Sequence, residues 1–222
     1  IFSLIPPRLY PLAIFIASLS LLFHNSLISM YISGWDIQDE YYLANKVIIY
    51  CLWNISIFSN TNAMLSIVIL APIYSITSSL DLNWVFKIIY PVIFSLTPLG
   101  LYLFLKKQTT EKIAFMAVFF FISFAGFYTE MLQLARQQIA EYFFILAMLL
   151  IVENKNDIFN RFLLVLFSLS VIISHYGLSY LTLAAIVFSF LLLFIYRKYF
   201  DKNSLNAITF TFTLLFAVFL LT

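Results

Sequence analysis

Charge is scarce in this chain. Lys, Arg, Asp and Glu together make up 10% of its 222 residues, where a soluble domain carries about 25%. That scarcity excludes an ordinary water-soluble domain. Cysteine occurs once, at Cys51, which excludes an internal disulfide and a cysteine-rich metal centre. The two histidines, His24 and His175, lie far apart without zinc-ligand spacing. Glycine occurs four times, and neither a phosphate-cradling glycine loop nor a nucleophile elbow is present. Basic residues do not gather with interleaved aromatics, so no nucleic acid partner is expected.

What fills the chain instead is apolar: 64% hydrophobic residues and a mean hydropathy of +1.02. Apolar runs of about 20 residues alternate with short charged loops, the pattern of helical spans rather than a barrel. The expected fold is all-α, a polytopic transmembrane bundle of about seven spans forming a single domain over 1–222. The expected spans are Pro11 to Met30, Trp84 to Leu105, Lys112 to Tyr128, Gln137 to Val152, Phe159 to Ser174, Leu178 to Tyr196, and Leu205 onward. The first run shows no small-residue cleavage site and reads as a span, not a signal peptide. The chain begins at Ile1 and stops at Thr222 inside an apolar run, as a fragment of a longer protein would.

Asn62 to Leu80 is apolar enough to cross, yet Pro72 interrupts it and Ser and Thr are frequent. Charge bias decides its placement. If it does not cross, Arg8, Lys106, Lys107, Lys112, Lys155, Arg161, Arg197, Lys198 and Lys202 share one face, nine of the twelve basic residues. That face is then cytoplasmic. Asn45 to Leu80 is accordingly expected to be juxtamembrane or re-entrant, within an outer region 31–83. The outer face then collects three stretches, at Asp36, at Phe127 to Gln138, and at Ser174 to Gly177. Gly34, Gly126 and Gly177 lie in or beside them.

The densest chemistry is at Gly34-Trp35-Asp36-Ile37-Gln38-Asp39-Glu40-Tyr41-Tyr42, which holds three of the ten acidic residues. Asp36, Asp39 and Glu40 fall on neighbouring faces of a helix's first turn. One reading makes Asp36 an N-cap, with the other acids favoured by the positive helix end. The other points a carboxylate into a cavity as a general base or cation ligand. Trp35, Tyr41 and Tyr42 suit either a site or an interfacial belt. Arg136 is a candidate phosphate ligand or the ion-pair partner of Glu130 or Glu141. Glu141 is expected to face the bundle interior. His175 beside Tyr176 is a structural hydrogen-bonding residue or a ligand; His24 is structural. Asn54-Ile55-Ser56 matches a glycosylation sequon, a common chance match.

The arrangement resembles the GT-C superfamily of membrane glycosyltransferases. A first span ends in an outer loop with an acidic motif, juxtamembrane helices follow, and a second outer loop carries an acid. Gly34-Trp35-Asp36-Ile37 with Glu40-Tyr41-Tyr42, Leu134-Ala135-Arg136-Gln137-Gln138-Ile139-Ala140-Glu141, and Ser174-His175-Tyr176-Gly177 are similar to an archaeal group of membrane proteins. The resemblance implies transfer of a sugar from a polyprenyl-phosphate-linked donor to an acceptor at the extracytoplasmic face of a multi-pass cell-membrane protein. It implies catalytic roles for Asp36, Glu40 and Glu130, and substrate binding by Arg136, His175, Tyr176, Trp35 and Asp39. A divalent metal cation is implied only weakly, because Thr129-Glu130 stands where the oligosaccharyltransferases carry an Asp-x-Glu pair. Two rival classes remain open. One is a transporter or flippase, which would place acids near the midplane on broken helices. The other is a noncatalytic subunit that binds a partner through its outer loops.

Overall fold

Prolines and buried apolar stripes account for most of the helix boundaries. The computed structural model describes residues 5–153 and 157–196, and every regular element among them is helical. Helix α1 is Tyr10–Ser26, extended by a 3-10 turn at Pro7–Leu9, and α2 is Asp36–Tyr50. Leu65–Ser78 forms α3 and Leu82–Lys106 forms α4. Glu111–Ser123 is α5, Ala135–Glu153 is α6, Ile158–Ser174 is α7 and Tyr176–Tyr196 is α8.

Among the described residues, three helices are long and apolar enough to cross a membrane: Pro7–Ser26, Leu82–Lys106 and Ala135–Glu153. A fourth crossing is counted if α5 and the following Ala125–Gln133 are one span. Those two pieces meet at 65°, because Phe124 leaves the helix for an extended conformation at ψ 129°. The run from Lys112 to Tyr128 is therefore broken rather than straight. Helix α7 has 17 residues and rises about 25 Å, short of a core about 30 Å thick. The segment expected from Leu205 onward lies outside the described residues.

Helix α3 rises about 21 Å, too little to cross unaided. It is also broken. Pro72 has no N–H for the Val68 carbonyl, and the helix kinks one residue later, where Ile69 sits at φ −115°. The same physics shapes α4. Pro91 cannot bond the Lys87 carbonyl, and Val85–Ile89 widens into a π-turn. Pro98 leaves the Phe94 carbonyl open, and the helix is interrupted at Ser95.

Helix α4 is central. On one side it packs with α1 and α5, burying Tyr10, Ile14, Leu22, Phe94, Tyr102, Phe115 and Ile122. On the other it meets α2, α3 and α6, burying Leu43, Ile67, Val68, Phe86, Tyr90 and Ile139. Gly100 allows α4 and α6 to approach closely: a Cβ there would lie 2.9 Å from the Ile145 side chain. Tyr90 donates its hydroxyl proton to the Ser66 carbonyl, and Ser66 donates to the Ser174 carbonyl at 3.3 Å. That relay fixes the α7–α8 turn against α3 and α4.

Candidate functional site

Helix α2 buries Ile37, Glu40, Leu43 and Ala44, one stripe at three- and four-residue spacing. Glu40 is the only charge in that stripe and is 0% exposed. The same periodicity turns Asp39 to the exposed side. Asp36 starts the helix, and its side chain is 49% exposed. Trp35 holds the N-cap position and makes no side-chain capping bond.

Arg136, in the first turn of α6, gathers these acids. Its Nη2 donates to Asp36 Oδ2 at 2.5 Å. Its Nη1 lies 3.2 Å from Glu40 Oε1 and donates to Thr61 Oγ1 at 3.4 Å. The Tyr176 ring lies under the guanidinium, 6.0 Å from its centroid. Glu40 Oε2 also accepts the Arg136 backbone N–H at 3.4 Å. A carboxylate from α2 thus caps the positive end of α6 across a gap of 96 residues.

This replaces the expected ion pairs of Arg136. Glu130 is exposed and makes no ion pair among the described residues. Glu141 accepts from Gln137 Nε2 at 2.8 Å. Arg136 is directed inward with an 8% exposed side chain, its two Nη groups are directed at Asp36, Glu40 and Thr61, and its buried Nε has no partner among the described residues. It therefore positions carboxylates rather than offering a free fork to a phosphate. His175 Nδ1 accepts the Leu178 N–H at 3.0 Å, capping α8. Burial, then the nearby Arg136 cation, hold its pKa below the usual histidine value.

Burial pushes Glu40 up to about 8, against the opposing pull of Arg136 and the two backbone donors. A carboxyl raised in this way makes the folded state hold a proton that the unfolded chain releases above about 4.5. Stability is then highest below that value and declines as pH rises toward about 8. His175, with its lowered pKa, acts in the opposite sense: its contribution is lost as pH falls below about 6.5. The window from about 6.5 to 8 therefore isolates Glu40. In detergent, the melting temperature is expected to fall across that window, and Glu40→Gln to flatten the fall. An equal slope in the variant would assign the effect elsewhere.

The 27–35 loop has no regular structure, so side chains must satisfy its carbonyls. Lys87 Nζ donates to the Ser29 and Tyr31 carbonyls at 2.7 and 3.0 Å. Asn83 Nδ2 donates to the Met30 carbonyl at 2.8 Å, and Gln38 Nε2 to the Ile32 carbonyl at 2.6 Å. Gly34 closes the loop against the α6 side, at φ +133°. A Cβ there would stand 2.8 Å from Gln133 Cγ. Gly34→Ala combines a forbidden φ with that overlap and is expected to destabilise by about 1–3 kcal/mol. Thermal unfolding reads it, and an unchanged midpoint would mean that the loop rearranges freely.

A cleft of about 230 Å³ is lined by Asn25, Ser26, Ser29, Ile37, Lys87 and Gln133 among others, with Asp36, Glu40 and Arg136 outside its lining. Lys87 is 5% exposed. Its sequence signal was a lone cation three residues into the expected 84–105 span, a position that marks function by default. Among the described residues no three His, Cys, Asp or Glu side chains gather into a metal-binding set.

No family model, no curated protein and no solved structure matches this chain.

Proposed function

We propose that this protein transfers a sugar from a polyprenyl-phosphate-linked donor to an acceptor at the extracytoplasmic face of a cell membrane that it crosses about seven times. The observation that carries this reading is the state of Asp36. One oxygen is held by a buried arginine, while Oδ1 accepts from no donor among the described residues and the side chain is 49% exposed. A carboxylate fixed at one oxygen and open at the other is arranged to take a proton from a bound hydroxyl.

In the proposed step, the acceptor oxygen bonds to the anomeric carbon of the sugar and its proton passes to Asp36 Oδ1. The bond between that carbon and the phosphate oxygen breaks, and its electron pair leaves with the polyprenyl phosphate. Arg136 and Glu40 act as positioning residues. Arg136 fixes the Asp36 rotamer, and Glu40 anchors Arg136 to the end of α6. Trp35, 89% exposed, offers a flat apolar face to a sugar ring, and Tyr176, 39% exposed between His175 and Arg136, offers its edge. A divalent cation would rest on Asp36 and on oxygens of the substrate itself. Glu130 and Asp39 stand outside the cluster, and the proposal gives them no step.

The test uses the chain in proteoliposomes with a panel of radiolabelled hexosyl-phosphopolyprenols, following release of polyprenyl phosphate. The expected result is turnover that depends on Asp36. No turnover of any donor, or equal turnover by Asp36→Asn, overturns the reading.

A noncatalytic membrane subunit is the second reading, and one observation favours it. Arg136 joins residues from α2, α6 and the segment preceding α3 in a single cluster, which would serve equally to staple the loops into a fixed docking surface.

A further inference from the structure

The most unusual group outside the Asp36 cluster is Lys87. It is 5% exposed, lies in an apolar helix, and forms no salt bridge among the described residues. Buried cations are nearly always paired with an acid. Here two backbone carbonyls take two ammonium protons, and the third N–H has no acceptor among the described residues. A lysine carries three donors.

The cleft that Lys87 lines explains what is missing. Its lining contains no Asp or Glu, so Lys87 is its only charged side chain. Ser26 lines the same cleft, and its Oγ is buried with no hydrogen-bond partner. One unused cationic donor therefore borders a cavity of about 230 Å³ without a counterion, and the unpaired Ser26 hydroxyl belongs to a residue of the same lining. Lys87 also lies in the π-turn Val85–Ile89, a distortion found often at functional sites. Around the mouth, Ile28 and Tyr31 are among the most exposed large apolar residues, at 75% and 82%. A free anion would have no use for that greasy rim, whereas the chain of a lipid would cover it.

We propose that this cleft binds the phosphate headgroup of a membrane lipid, with Lys87 Nζ and Ser26 Oγ donating to its oxygens. The inference deepens the transfer reading and rests on it for the polyprenyl nature of the lipid; the phosphate chemistry follows from the cleft itself. It moves the phosphate away from Arg136 and His175, where both Nη of Arg136 are directed at Asp36, Glu40 and Thr61 and His175 Nδ1 accepts the Leu178 N–H. The Lys87 ammonium then lies where negative charge accumulates on a departing phosphate.

Binding is measured on the full chain in a neutral maltoside detergent, by calorimetry with dodecyl phosphate, dodecanol and inorganic phosphate. The expected result is saturable binding of dodecyl phosphate and none of dodecanol. Lys87→Gln is expected to weaken it at least tenfold, and Lys87→Arg to retain a larger share. Lys87 also supports the 27–35 loop, so a second variant guards against a folding defect. Ser26→Ala removes a hydroxyl that has no protein partner, and is expected to leave the melting temperature unchanged while weakening dodecyl phosphate about tenfold. Inorganic phosphate binding as tightly as dodecyl phosphate would overturn the lipid assignment in favour of free phosphate. No binding, or binding unchanged in both Lys87→Gln and Ser26→Ala, would overturn the site. Because no turnover is involved, the transfer reading can fail while this binding persists, and the converse also holds.

Discussion

Arg136→Ala is expected to destabilise the folded chain by about 3–5 kcal/mol, the cost of breaking a buried ion pair from one side. Both partners are out of water: the Arg136 side chain is 8% exposed and that of Glu40 is 0%. Removing the guanidinium leaves the Glu40 carboxyl facing apolar neighbours, with only backbone N–H groups at the start of α6 as donors. The exposed half of the cluster contributes much less, because Asp36 can turn back to water and exposed pairs stabilise by about 0–1 kcal/mol. The loss is expected in full only above about pH 8, where Glu40 is ionised, and to shrink below it, where the buried carboxyl holds its proton. Thermal unfolding in detergent reads the effect. Replacing both partners by apolar residues of similar volume, Glu40→Leu with Arg136→Met, is expected to recover most of it. A loss below about 1 kcal/mol for Arg136→Ala, or no recovery in the double variant, would mean that the pair does not hold α2 to α6.

The second large effect is on chemistry. Asp36→Asn is expected to lower sugar release by about 10²–10⁴-fold, the usual contribution of a positioned general base, equivalent to about 3–5 kcal/mol of barrier. The amide oxygen can still accept from Arg136 Nη2, so the fold and the loop geometry persist, and the melting temperature is expected to shift little. What is lost is basicity at Oδ1. Asp36→Glu keeps the basicity but carries the carboxylate about one bond further, and should retain an intermediate rate. A rate for Asp36→Asn within about threefold of the parent would leave Asp36 with only its ion pair, and would favour the docking-surface reading.

Much of the local structure was legible because its causes are local. The start of α2 at Asp36 follows from three acids crowded at one helix end. Ile37, Leu43 and Ala44 mark the buried stripe, and Glu40 falls in register with them. Pro72 marks an interruption in the run from Asn62 to Leu80, and α3 is broken nearby, at Ile69. The 65° bend at Phe124 had no proline to announce it. His175 read as a structural hydrogen-bonding residue or a ligand, and the residue whose N–H it accepts is Leu178, the expected start of the last described span.

The sequence by itself determined the class of the molecule, an apolar helical chain with three of its ten acids crowded at one helix start. Those properties depend only on composition and on neighbours within a few positions. The partners of Arg136 were decided by tertiary structure alone. Nearness along the chain pointed to Glu130 or Glu141, whereas the packing of α2 against α6 delivered Asp36 and Glu40 from 100 and 96 residues away. The empty side of Lys87 was hidden for the same reason. Whether a buried cation has a counterion depends on every element packed around it, and no single stretch of sequence carries that information.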